Sequence, residues 1–360
     1  PAACTRRRFF ARGAAGLSAA LASTALAENL AAAAPGAGTR PHDDPARGPH
    51  FAPRARRVIS LHMEGGPSQL DLFDHKPKLR DWFDKDLPES VRNGQRLTGM
   101  TSGQTRFPIA PSMFRWTRHD NGGDGLWLSE LLPHLGSVAH ELCLVRSMHT
   151  EAINHEPAIT FAQTGTQQPG RPSFGAWTSY GLGTESRDLP GYVVLQSGGA
   201  VAPHGGVGLF SNGFLPAQHQ ASIMRVDEPD PVPHIRPQQP HASQRRQLDF
   251  ISGMDRRFAD QTQHDLHIEA AISNYEMAWR MQSAVPELCD LSGETEATKK
   301  LYGIDGPAST RTAYGQQCLL ARRLVERGVR FVELSCLPQK LGAGQAPNPW
   351  DQHGQIKKGH

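Results

Sequence analysis

Three short stretches of this chain gather side chains suited to binding a cation or moving a proton. The first is EGGPSQLDLFDHKP, Glu64 to Pro77, in which Asp71 and Asp74 follow a Gly65–Gly66 turn. Two carboxylates after such a turn offer hard oxygen ligands to a divalent ion, and the glycines let the main chain approach a ligand closely. The same residues also fit a plainer role, with Ser68 and Asp71 capping a short helix and Asp74 in solvent. The second stretch is HTEAINHEP, His149 to Pro157. His149 and His155 share no helical face at their spacing, so a loop has to bring them to one point. Asn154 adds an amide donor. Glu156-Pro157 reads as the first turn of a helix, which puts His155 at an N-terminus suited to an anion or a phosphate-like group. The competing assignment for His155 is a capping or hydrogen-bonded structural histidine. The third stretch is NPWDQHG, Asn348 to Gly354, with Asp351 and His353 as a D-x-H pair. Carboxylate plus neutral imidazole suits Zn²⁺, Mn²⁺ or a related ion. A bare D-x-H recurs by chance, so its weight depends on where the fold puts it.

The elements that must position these stretches are legible as apolar runs. VISLHM, Val58 to Met63, reads as a buried strand entering the Gly65–Gly66 loop. LSELLPHLGSVAH, Leu128 to His140, carries apolar residues at 128, 131, 132, 135 and 138, a helical period. LCLVRSM, Leu142 to Met148, reads as a strand running straight into His149. GYVVLQS, Gly191 to Ser197, is another strand. From Gln244 to Pro286 the chain reads as helical, with Ile268, Ile272, Tyr275 and Trp279 on one stripe and Pro286 as its stop. Tyr314 to Arg327 is a further helix closed by Gly328, and VRFVEL, Val329 to Leu334, is the strand after it. Helices alternating with short apolar strands predict an α/β fold with a mostly parallel sheet covered on both faces. Ligands gather at the carboxyl ends of such strands, and each candidate stretch follows one, the third after a long loop. That shared placement is the bottom-up reason to expect a single site.

Composition narrows the remaining classes. The chain has 360 residues, with 20% charged and 38% hydrophobic, enough to fold and bury a sizeable core. The formal charge of +3 owes much to Arg6, Arg7, Arg8 and Arg12, which excludes a nucleic-acid-binding face. Seventeen histidines suit metal or proton chemistry. Five widely spaced cysteines without a CxxC pair exclude a zinc ribbon or a disulfide scaffold, and Cys143, Cys318 and Cys336 read as buried inert thiols. Thr5-Arg6-Arg7-Arg8-Phe9 matches the twin-arginine export pattern, followed by an Ala-rich run ending in Ala25-Leu26-Ala27. Residues 1–27 are therefore expected to be a twin-arginine signal peptide, 28–56 a Pro/Ala/Gly-rich linker, and 57–360 the folded domain. No segment reaches transmembrane length, so the expectation is an exported, periplasmic or extracellular protein handed over by the twin-arginine machinery. GGAVAPHGGVG, Gly198 to Gly208, lacks the Gly-Lys-Ser/Thr of a P-loop and reads as a flexible surface loop. HDLHIE, His264 to Glu269, reads as a solvated helix start.

MEGGPSQLDLFDHKP, SELLPHLGSVAHELCLVRSMHTEAINHEPA, GRPSFGAWTSYGLG, LPGYVVL, CLLARRLVERGVRFVEL and NPWDQHG together resemble one family, from about Arg57 to His360 in order. It is the set of uncharacterised exported bacterial proteins numbered fifteen-oh-one among domains of unknown function, a sulfatase-like branch of the alkaline phosphatase superfamily. The resemblance implies that superfamily's three-layer α/β/α fold and metal-dependent hydrolysis of sulfate or phosphate esters. Sulfatases carry a Cys-x-Pro-Ser-Arg segment ending in Thr-Gly; here His155-Glu156-Pro157 through Thr164-Gly165 keeps the proline, the spacing and the Thr-Gly. His155 then stands at the nucleophile position, while the cysteine or serine and the following arginine are gone. The first-strand loop corresponds to the segment that supplies paired aspartates in sulfatases, leaving Glu64 or Asp71 for that role. Asp351 and His353 resemble the Asp-x-x-x-His metal segment with shorter spacing. Family members continue into a strand ending in a Gly-Glu-Phe-Gly-Arg-Thr-Pro loop, so the domain reads as incomplete at its C-terminus.

Two functions follow as expectations. One is an exported metal-dependent hydrolase of small-molecule or polysaccharide sulfate or phosphate esters. In it His155 and Asn154 act on the substrate, and Asp71, His149, Asp351 and His353 hold Zn²⁺, Mn²⁺ or Ca²⁺. The other is a catalytically inactive sulfatase-like binding or scaffolding protein, favoured by the missing nucleophile.

Overall fold

The structure is a computed structural model; it describes residues 51–63, 65–92, 101–197, 205–262, 265–307, 310–335, 351 and 356–359. The expected signal peptide and most of the linker lie outside these residues. So do Glu64, His353 and most of the Asn348–Gly354 stretch.

Four parallel strands form the sheet: β1 (Val58–His62), β4 (Tyr192–Gln196), β5 (Ser222–Arg225) and β6 (Phe331–Ser335), in the spatial order β1-β6-β4-β5. A two-stranded antiparallel hairpin of β2 (Trp116–His119) and β3 (Leu126–Ser129) stands apart from it. The helices in chain order are α1 (Gln69–Leu72), α2 (Glu89–Arg92), α3 (Pro133–Ser137), α4 (His155–Thr164) and α5 (Phe174–Leu182). They continue with α6 (His241–Gln261), α7 (Leu266–Cys289), α8 (Glu296–Leu301), α9 (Thr310–Glu326) and α10 (Ile356–Gly359). The expected α/β architecture with a mostly parallel sheet is therefore present.

The period-2 alternation of the central strands feeds two cores. Val193, Leu195, Val332 and Leu334 face Met281, Val285 and Leu288 of α7 and Leu320 and Leu324 of α9. Tyr192, Val194 and Phe331 face the other way, onto Ile159 of α4 and onto Leu209 and Phe210. Strands buried on both sides read as continuous apolar runs, which is why β4 and β6 are visible in the sequence. β1 is different. Val58, Ser60 and His62 are half-buried, while Ile59 and Leu61 on the opposite side are 42% and 53% exposed. Full cover of both sheet faces, as expected, holds for β4 and β6 and fails for β1 among the described residues.

Three local assignments are corrected. Leu142–Met148 forms no strand: only Leu142 and Leu144 pack inward, onto Leu126, Leu128 and Ala139 at the hairpin, and the segment joins no ladder. His149 consequently does not follow a strand end. Leu128–His140 is not one helix; its start belongs to β3, where Leu126 and Leu128 are buried and Trp127 between them is not, and Pro133 opens the short α3. Pro286 does not end its helix. α7 continues to Cys289 because Val285 and Leu288, both fully buried, hold that turn in the core. Of the glycine-rich stretch Gly198–Gly208, the described residues 205–208 lead into a 3₁₀ turn, Gly206–Phe210, with Val207 63% exposed and only the following Leu209 and Phe210 in the core.

Candidate functional site

α4 starts as its residue types dictate. Asn154 is the N-cap, its Oδ1 accepting the His155 backbone N–H at 2.8 Å. Glu156 and Pro157 occupy the first turn, where an acid favours the positive helix end and proline sacrifices no hydrogen bond. Gly165 closes the helix at φ +73°, a left-handed conformation cheap only for glycine. Asn154 thus has a structural task in this fold, holding the turn that presents His155.

The His155 imidazole meets a residue nearly two hundred positions away. Its Nε2 lies 3.4 Å from Oδ1 of Asp351, whose side chain is only 12% exposed. That separation is within ion-pair reach and longer than a well-formed N–H···O bond. Beside the pair opens a cleft of about 200 Å³ lined by His62, Met63, Gly65, Gly66, His155 and Ala158. Gly65 and Gly66 adopt φ of +102° and +71°, so the main chain turns sharply at the end of β1, and a Cβ on Gly66 would meet nothing within 4 Å. The cleft therefore sits at the carboxyl end of the sheet, where an open parallel sheet is expected to receive a ligand.

His62 is the residue that the sequence reading missed. It ends β1, lines the cleft, and burial pulls its imidazole pKa below the usual histidine value. A neutral imidazole is the form that accepts a proton or binds a metal. The signal was present in the alternation Val58, Ser60, His62, which puts the histidine on the half-buried side of the strand at its carboxyl end.

α4 is fixed to the sheet by a buried carboxylate. Gln163 Nε2 donates to Glu333 Oε1 at 2.6 Å, and the Tyr192 hydroxyl donates to Glu333 Oε2 at 3.3 Å. Glu333 is 1% exposed, and burial pushes its pKa up to about 7 despite those two donors. Burial and the neighbouring Glu333 likewise push the Tyr192 phenol well above its usual range.

The other expected ligands in the described residues make no bond to this pair. Asp71 is in α1, its backbone N–H on the Ser68 carbonyl at 3.0 Å, and no hydrogen bond or ion pair joins its carboxylate to His155 or Asp351. Asp74 pairs with Lys76. His149 is exposed and makes no link to the pair. Among the described residues no group of three or more His, Cys, Asp or Glu is arranged to hold a metal ion. Imidazole and carboxylate at the His155–Asp351 pair are donors that Zn²⁺ or Mn²⁺ accepts, and the described residues provide two of the three or more that such an ion takes from a protein.

A mostly parallel sheet with helices packed on it, and a cleft at the carboxyl end of β1, defines an α/β protein. The chain belongs to the family described as protein of unknown function (DUF1501), which it matches over residues 55–360. No curated protein and no solved structure matches it.

Proposed function

We propose that this protein is an exported metal-dependent hydrolase of sulfate or phosphate esters, built on a sulfatase-like fold of the alkaline phosphatase superfamily. The observation that carries the reading is the approach of His155 Nε2 to Asp351 Oδ1, 3.4 Å apart beside the cleft that ends β1. A shared cation is one arrangement that this pair serves, with His353, and Glu64 or Asp71, as further ligands. A divalent ion there would polarise the ester oxygens as a Lewis acid. The chain's own residues have simpler duties. His155, at the positive end of α4, attracts an anionic ester group, and its imidazole can give or take a proton. His62, whose pKa burial lowers, lines the same cleft and can accept one from water.

The test is metal content of the full chain after dialysis, together with turnover of p-nitrophenyl sulfate and p-nitrophenyl phosphate in Zn²⁺, Mn²⁺ or Ca²⁺. Asp351→Asn and His155→Ala should each lower kcat/KM by about 10²-fold or more. Retained turnover in both variants would refute the assignment.

A second reading has its own observation: the described lining of the cleft contains no cysteine, serine or threonine, and the resemblance to sulfatases puts His155 at the nucleophile's position in the sequence. On that reading the protein binds an anionic ligand or metal without cleaving anything. It requires metal or ligand retention with no turnover of any ester.

A further inference from the structure

A larger concavity lies at the opposite end of the sheet, by the amino ends of β4 and β5. Its volume is about 780 Å³, within the range of small-molecule pockets, and its walls come from α5, α7, the 3₁₀ turn Ala217–His219 and the segment before β4. Gly191 makes one wall tight: a Cβ there would stand 3.0 Å from Ser179 Oγ. Ser179 is 5% exposed, and its Oγ lies 3.1 Å from His219 Nδ1. The other ring nitrogen of His219 is 3.3 Å from the Gln218 amide, and the Tyr180 ring packs edge-on against the imidazole. Both nitrogens of that histidine are thus occupied by neutral partners, and it brings no fixed charge to the groove.

Charge comes from α7. Glu276 lines the groove, and Arg245 of α6 holds it in a fork, with N–H···O distances of 2.9 and 2.6 Å, while the same guanidinium also pairs with Asp249 and Arg280 acts on Glu276 at longer range. Arg280, one turn further along α7, also lines the groove and has no hydrogen bond or ion pair within 4 Å among the described residues. Ile223, Val232, Met277 and Met281 supply apolar lining to the groove, alongside the polar Gln220, Ser273 and Asn274. Methionines adapt to irregular apolar shapes at little cost. We infer that this groove binds a free carboxylate carried on an apolar body, the head group at Arg280 and the body against Ile223, Val232, Met277 and Met281. Guanidinium presents paired N–H donors that match a carboxylate, and an uncharged head would leave them solvated. The site is separate from the His155–Asp351 cleft, so it stands or falls without the hydrolase reading.

The test is calorimetric titration of the full chain with decanoate, decanol and decyltrimethylammonium, below their micellar concentrations. Decanoate should bind roughly tenfold or more tighter than decanol, and the ammonium weakest. Arg280→Ala should erase the preference for decanoate while leaving decanol binding and the unfolding midpoint unchanged, because the side chain is exposed. Arg280→Lys should retain most of the preference. Equal affinities for decanoate and decanol, an Arg280→Ala protein that keeps the preference, or sedimentation with anionic vesicles in place of decanoate binding would each overturn the inference.

Discussion

Glu333 makes stability depend on pH in a direction opposite to most carboxylates. The acid is 1% exposed in β6, with Gln163 and Tyr192 donating to its two oxygens, and its pKa rises from 4.5 to about 7. Below pH 4.5 the group is protonated in folded and unfolded chains alike. Between 4.5 and about 7 the unfolded chain sheds a proton that the native protein keeps, so the native state loses ground as pH rises. Above about 7 both forms are ionised and the loss is complete. At about 1.4 kcal/mol per pH unit, moving from 4.5 to about 7 costs the native state about 3 kcal/mol, a sizeable part of a typical folding free energy. Glu333→Gln removes the ionisation, while its amide still accepts from Gln163. The assay is denaturant unfolding of wild type and variant across about pH 4 to about pH 9. The two proteins should differ by about 1 kcal/mol or less at the acid end, with the variant more stable by about 3 kcal/mol at the alkaline end. A difference that stays constant across the range would refute the reasoning, since the carboxyl would then titrate alike in folded and unfolded chains.

Two further outcomes test the packing directly. Gly315→Ala in α9 should destabilise the protein by about 1–3 kcal/mol in the same unfolding assay, despite alanine's better helix propensity, because the added Cβ would stand 2.0 Å from the Tyr302 carbonyl oxygen. In a timed iodoacetamide reaction read by peptide mass spectrometry, Cys143, which is exposed, should label well before Cys289, whose thiol burial pushes up to about 11.

Much of the local structure was written in neighbouring residues. β1, β4 and β6 showed as apolar runs, and α9 as a periodic stretch closed by Gly328 at φ +89°. The start of α4 was legible because Asn154, Glu156 and Pro157 are each suited to a helix N-terminus. The errors fall where a partner distant in sequence decides. Leu126–Ser129 is a strand because Trp116–His119 lies against it, and helical spacing at 128, 131 and 132 could not reveal that partner. LCLVRSM has strand-like residues but pairs with no strand among the described residues, so Leu142 and Leu144 pack from an irregular chain. Cys143 was read as a buried thiol on the strength of apolar neighbours and is exposed, because the segment has no second face to bury.

The candidate site divides in the same way. Residue types alone put His155 at the mouth of a helix and a glycine turn after the first strand, since capping and φ preferences act over a few residues. They could not say which of Asp71, Asp74, His149 and Asp351 would come near it. The strand order decides part of that, because β6 pairs in parallel with β1 and so brings both carboxyl ends to the same edge as α4. Side-chain placement decides the rest: Asp74 goes to Lys76, His149 to solvent, and Asp351 to His155. Contacts across such sequence distances depend on pairing and packing of the whole sheet, which no local pattern of residues encodes.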